Sequence, residues 1–118
     1  MRIVLVVDDE PILRMLAIEM LEDAGHTVVE FATAAEAIAY CDRMDGMISA
    51  VVTDINMPGE KDGLDLARHV RETLPTASVV VTSGRYDALP PDMRQGITFL
   101  PKPWTSERLL SALAKTGT

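Results

Sequence analysis

The sequence predicts an α/β domain, a doubly wound sheet of five parallel strands with helices on both faces. Three observations carry that expectation. Short apolar, β-branched runs alternate with segments of helical periodicity along the chain. The first run, residues 2–7, is almost wholly apolar, as in strands covered on both sides. Four of the runs stop at polar groups: Asp8-Asp9, Asp54, Thr82-Ser83 and, past Pro101, Lys102. Open sheets of this kind bind ligands beyond the carboxyl ends of their strands.

The elements follow in order. After the strand at 2–7, Pro11 suits the first turn of a helix, where its missing N–H is no loss. Ile12, Leu13, Leu16, Met20 and Leu21 recur at helical spacing, and Gly25 is a good stop after residue 24. Residues 26–31 read as a second strand. Thr33 with Glu36 three residues on is a capping-box pattern for a helix over 34–43. Gly46 precedes the third strand, 48–52, which leads to Asp54. Asn56, Pro58 and Gly59 then break regular structure. A helix over 63–73 turns Leu64, Leu66, Ala67 and Val70 inward and ends ahead of Pro75. Residues 78–82 and 97–100 are the last two strands, and 104–114 the last helix. Between those strands, Pro90-Pro91 is incompatible with a helix interior, so the fourth helix should be short or irregular. With few internal hydrogen bonds, segment 84–96 should also open easily.

The chain of 118 residues is long enough for one domain and one core. Its 47% hydrophobic fraction fits a folded globule. A formal charge of −7, without a basic stripe, argues against direct nucleic-acid binding. No apolar run is long enough to insert in a membrane, and no signal peptide is visible. The single cysteine, Cys41, cannot form an internal disulfide and fits a reducing compartment, so a cytoplasmic location is expected. Cys41 itself reads as a buried filler. His26 and His69 read as solvent-facing or capping, and Trp104 as a packing anchor.

Asp8, Asp9 and Asp54 would converge if the first and third strands are neighbours. Three carboxylates held together repel unless protonated or bound to a cation. Oxygen-only ligands select a hard cation, and a small wet acidic pocket suits Mg²⁺. A carboxylate can also act as a nucleophile and form an acyl phosphate. Phosphoryl transfer needs an in-line nucleophile, a metal and positive charge on the equatorial oxygens. Lys102 supplies that charge, Ser83 can donate a hydrogen bond, and the Asn56 backbone carbonyl could reach the same metal.

Taken together, these residues resemble the response-regulator receiver domain of two-component signalling, in its chemotaxis-regulator-like form. The acid pair after the first strand, the run Asp54-Ile55-Asn56-Met57-Pro58, the hydroxyl after the fourth strand and Lys102-Pro103 after the fifth all match. The resemblance covers essentially the whole chain, read as one receiver domain over 1–118 without an output domain. It implies the flavodoxin-like strand order 2-1-3-4-5. It implies that Asp54 accepts a phosphoryl group from the phosphohistidine of a histidine kinase or histidine phosphotransfer protein. It implies that Asp8, Asp9, Asp54 and the Asn56 carbonyl address Mg²⁺, and that Lys102 and Ser83 assist. Ser83 and Phe99, the aromatic three before the lysine, match the switch positions. Such a domain relays its state to a downstream protein and catalyses only its own phosphotransfer and dephosphorylation. Three features depart from the pattern. Gly63 comes about one residue late after Met57-Pro58, Phe99 lacks a hydroxyl, and Pro90-Pro91 interrupts the fourth helix.

The main alternative is a small Mg²⁺-dependent phosphatase with an aspartate nucleophile. A resemblance to the haloacid-dehalogenase phosphatases would imply a second aspartate two residues after the first, where Asn56 stands, and an acid pair late in the chain instead of at residue 8. A flavin-binding reading lacks its hydroxyl- and glycine-rich phosphate loop, since Asp8-Asp9-Glu10-Pro11 occupies that place. A phosphate-independent interaction domain would have no use for the full set of residues.

Overall fold

Period-two alternation along buried strands divides the core in two. Leu5, Val7, Val51, Val79 and Val81 face one side of the sheet, while Val4, Val6, Val52, Val80 and Leu100 face the other. A computed structural model shows this arrangement for residues 2–84 and 89–115. The strands are β1 (Ile3–Val7), β2 (Thr27–Phe31), β3 (Ile48–Asp54), β4 (Ser78–Ser83) and β5 (Thr98–Pro101). The helices are α1 (Pro11–Asp23), α2 (Ala34–Arg43), α3 (Gly63–Thr73) and α4 (Ser106–Lys115). All strand pairs are parallel and the order is β2-β1-β3-β4-β5, as expected. Helices α2 and α3 cover the first face and α1 and α4 the second.

Local chemistry explains the helix ends. The Thr33 hydroxyl accepts the Glu36 N–H, the first half of the expected capping box, and the Glu36 carboxylate accepts from the Thr33 hydroxyl. At α3 the Asp62 side chain accepts the Leu64 and Asp65 N–H groups, and Asp65 accepts the Asp62 N–H in return. Gly25, at φ 94°, follows α1 in the left-handed conformation that suits glycine.

Between β4 and β5 the described residues hold no α-helix, only a 3₁₀ turn at Pro91–Met93. Pro91 starts that turn, in keeping with the expected short or irregular element. The expectation of easy opening meets a different picture over 89–97; residues 85–88 lie outside the described residues. Leu89, Met93 and Ile97 are buried in the α2/α3-side core. The Arg71 guanidinium donates to the Asp92 and Gln95 carbonyls at 2.9 and 3.4 Å, and Arg94 to the Leu89 carbonyl at 3.0 Å. Side chains thus satisfy carbonyls that a helix would have paired internally. The segment is a strap laid across α3.

Candidate functional site

The ends of β1, β3 and β5 meet because those strands continue the α1/α4-facing parity. Val6 leads to Asp8, Val52 to Asp54 and Leu100 to Lys102, each two residues on. The sheet order places β1 beside β3 and sets β5 two strands from β3. Lys102 bridges that gap: its Nζ lies 3.1 Å from an Asp54 carboxylate oxygen, 3.5 Å from Asp8 and 3.7 Å from Glu10. Asp54 is the last residue of β3, and it is buried like Asp8.

Three acids around one base leave a formal charge of −2 when all are ionised. Burial raises the Asp8 pKa above the ordinary carboxylate value, and Asp54 and Glu10 push the same way. The Glu10 N–H, which donates to Asp8 at 2.9 Å, and Lys102 offset this only in part. Burial alone would favour neutral Lys102, but Asp8, Asp54 and Glu10 outweigh it and raise the ammonium pKa. A divalent cation would relieve the residual negative charge. Carboxylate oxygens of Asp8, Glu10 and Asp54 lie within 4.8 Å of one another, a hard-donor set that fits Mg²⁺.

A cleft of about 400 Å³ opens above these groups, lined by Asp9, Glu10, Asp54, Asn56, Gly84 and Lys102. The structure therefore gathers Asp8, Asp54, Lys102, Asp9 and Asn56 in one place. Asp9 is exposed on the cleft wall, and Glu10 takes the closer place beside Asp8 and Asp54. Sequence reasoning passed over Glu10, though a third consecutive acid after a buried strand was its signal. Ser83 ends β4, and its carbonyl accepts the Lys102 N–H at 3.0 Å. The β3–β4 ladder pairs Asp54 with Thr82, and Ser83 follows as the last residue of β4. Phe99 is half-buried on β5, packed against the α2/α3-side core.

A second cavity, of about 430 Å³, shares Lys102 with the first and is lined by Leu13, Leu16, Met20, Pro103 and Trp104. Beside it, Ile12, Met15 and Leu16 on α1 are 69%, 54% and 42% exposed. No helix among the described residues is long and apolar enough to cross a membrane.

Comparison with known proteins supplies the context for this geometry. The response regulator receiver domain family matches residues 4–114. The sensor kinase CckA of Brucella abortus (strain 2308) is 37% identical over 115 residues, 93% of this chain. The chain spans 12% of that kinase's length. Among solved structures, the receiver domain from the hybrid histidine kinase CckA has a TM-score of 0.81 and 32% identity, covering 98% of this chain and 99% of that one. A response regulator receiver domain protein from Clostridium thermocellum has a TM-score of 0.84 and 26% identity, covering 99% and 94%.

Proposed function

The chain belongs to the response regulator receiver domain family, and on that premise we propose that it is a phosphorylation-operated switch with Asp54 as its phosphoacceptor. The observation that carries this reading is the Asp54 carboxylate, buried at the end of β3, bonded to Lys102 and opening on an acid-lined cleft. The donor is the phosphohistidine of a histidine kinase or histidine phosphotransfer protein. An Asp54 oxygen attacks phosphorus, the P–N bond breaks and its electron pair returns to the imidazole nitrogen. The product is an aspartyl phosphate.

Lys102 holds its ammonium where the transferred oxygens arrive, and its raised pKa keeps it charged. Asp8 and Asp54 would hold Mg²⁺, with Asp9, Glu10 and the Asn56 carbonyl around the same cleft. When bound, that ion supplies charge neutralisation for the phosphoryl oxygens. Thr82, the register partner of Asp54, and Ser83, the last residue of β4, each carry a hydroxyl that could donate to the added group. The exposed apolar face of α1, adjoining the cleft, supports a protein as the natural donor. The phosphorylated state would be read by a downstream protein.

Acetyl phosphate with Mg²⁺, followed by intact mass, tests the proposal. One phosphate should be added to the parent chain and none to Asp54→Asn. Undiminished labelling of the variant would remove Asp54 from its role.

A further inference from the structure

The acidic turn between β1 and α1 has an unusual problem. It carries Asp8, Asp9 and Glu10 in succession, and like charges push such a turn outward. Glu10 at the N-cap of α1 makes no side-chain capping bond, although its N–H donates to the Asp8 carboxylate at 2.9 Å and its carbonyl accepts the Arg14 N–H at 3.0 Å. Lys102 draws Asp8 and Glu10 in from the cleft side, and from the other side the Arg14 side chain, one turn into α1, holds the main chain. Its Nη1 donates to the Asp8 backbone carbonyl at 2.7 Å. Its Nε donates to the Glu30 carboxylate at 2.7 Å. Glu30 lies on β2, where it pairs with Val6 of β1. The Asp8 N–H reaches the next β2 residue, donating to the Phe31 carbonyl at 3.1 Å.

From these contacts we infer that Arg14 is a positioning residue for the cation site. It is anchored by Glu30, pins the Asp8 main chain and holds the acidic turn in place at the wall of the cleft. The guanidinium suits this task because its planar fork serves two acceptors in fixed relation. A lysine, as a single charged point, could meet one of them well but not both. Arg14 touches the Asp8 carbonyl from outside the acid cluster and neither the carboxylate group nor the cleft lining includes it. Its effect is therefore on the shape of the ligand set rather than on any reacting atom. Outer groups that orient metal ligands are commonly worth 10- to 100-fold in affinity.

The inference rests on the Mg²⁺ site proposed above, so the test separates the two. Melting temperature is measured against Mg²⁺ concentration to give an apparent affinity, together with the metal-free melting temperature. Five chains are compared: parent, Asp54→Asn, Arg14→Ala, Arg14→Lys and Glu30→Ala. The parent should be stabilised by Mg²⁺ and Asp54→Asn should not; a parent indifferent to Mg²⁺ refutes the site itself. With that response in hand, Arg14→Ala should bind Mg²⁺ at least about tenfold more weakly. Glu30→Ala should fall between it and the parent, and so should Arg14→Lys. A parental Mg²⁺ affinity in Arg14→Ala overturns the inference, even if its metal-free melting temperature drops, because that pattern marks a purely structural contact. Should Arg14→Ala fail to fold, Arg14→Lys and Glu30→Ala decide: parental affinity in both overturns the inference, and weakened affinity in both supports it.

Discussion

Gly63→Ala should be the most damaging single-methyl change in this protein. Gly63 opens α3, and its N–H donates to the Ile55 carbonyl at 2.9 Å. A Cβ added there would lie 1.8 Å from the Asp54 carbonyl oxygen, 2.6 Å from its carbon and 2.8 Å from the Ile55 Cα. Real Cβ atoms essentially never come within 3.0 Å, so α3 or the Asp54 backbone must withdraw by about 1.2 Å, the difference between 3.0 and 1.8. Every clashing atom is main chain, so no flexible side chain can absorb the movement. Helix α3 also carries Leu66, Ala67 and Val70 into the core, so withdrawing it loosens packing too. Overpacking of this kind costs about 3 kcal/mol, the upper part of the usual range. For a domain of this size that is a fall in melting temperature of roughly 10 °C or more. Gly46→Ala is the matched control, because its Cβ would meet nothing within 4 Å. Thermal and urea unfolding of both variants, with acetyl phosphate labelling of each, would read stability and site geometry together. A Gly63→Ala chain as stable as the control and labelled at the parental rate would refute the close-approach argument.

Asp8→Asn should stabilise the metal-free protein near neutral pH by ~1 kcal/mol and abolish stabilisation by Mg²⁺. Because the folded pKa of Asp8 is raised above 3.8, its contribution is complete below that value and lost as pH rises through the folded value. Melting curves from about pH 3 to 7 should show the parent losing ground to Asp8→Asn on the way up; the opposite slope would contradict the raised pKa. Lys102→Ala should cost about 2–3 kcal/mol without Mg²⁺, since it leaves three acids without their shared base. The same variant should still take up phosphate, while phosphorylation no longer alters hydrogen exchange over 97–101; an unaltered response there would contradict a coupling role for the lysine. Burial, assisted by Asp42, pushes the Cys41 thiol up to about 11. Thiol reagents at pH 8 should therefore modify the folded chain at least about 100-fold more slowly than the urea-unfolded one, and equal rates would contradict its burial. Arg71→Ala should speed hydrogen exchange at residues 92–97 with a global cost of ~1 kcal/mol, because two strap carbonyls lose their donor; unchanged exchange would mean that Met93 and Leu89 hold the strap unaided.

The strands were legible because burial on both faces requires continuous apolar runs, and nothing else in the chain reads that way. Their polar ends were legible for the same reason: Asp54 and Lys102 interrupt hydrophobic segments abruptly, and parity then sends both to one face. Glu10 was harder to read, because a helix-start acid needs no special explanation and only the fold brings it near Asp54. The α3 capping box was hidden in the loop whose glycine comes late, where Asp62 and Asp65 read as ordinary loop and helix charges. The strap illustrates the deeper limit. Pro90-Pro91 excludes a long helix locally, but what replaces it depends on Arg71, about twenty residues earlier in the chain. Counting internal hydrogen bonds predicted looseness for this segment. Donors from another element and a fully buried Met93 supply what that count omitted.

Lys102 connects the charge of the site to the architecture beyond it. At rest its ammonium is shared among three carboxylates at 3.1–3.7 Å, with the shortest contact to Asp54. A phosphoryl group on Asp54 would replace a single negative charge with about −1.5 to −2 and extend it further into the cleft. The ammonium would then be drawn towards the new oxygens and away from Asp8 and Glu10. The Lys102 main chain is tied to β4 through its N–H, which donates to the Ser83 carbonyl, one residue before Gly84 leads out of that strand. A shift that reached the Lys102 main chain would therefore be felt at the ends of both β4 and β5. On the far side of the strap stand Arg68 and Arg71 of α3, bonded or paired to Asp92. Among the described residues between β4 and β5, the element next in line is a strap fixed at its core by Met93 and at its surface by arginine. If Asp54 is phosphorylated as proposed, hydrogen exchange should change first around α3 and the strap; a change confined to α1 would contradict this route.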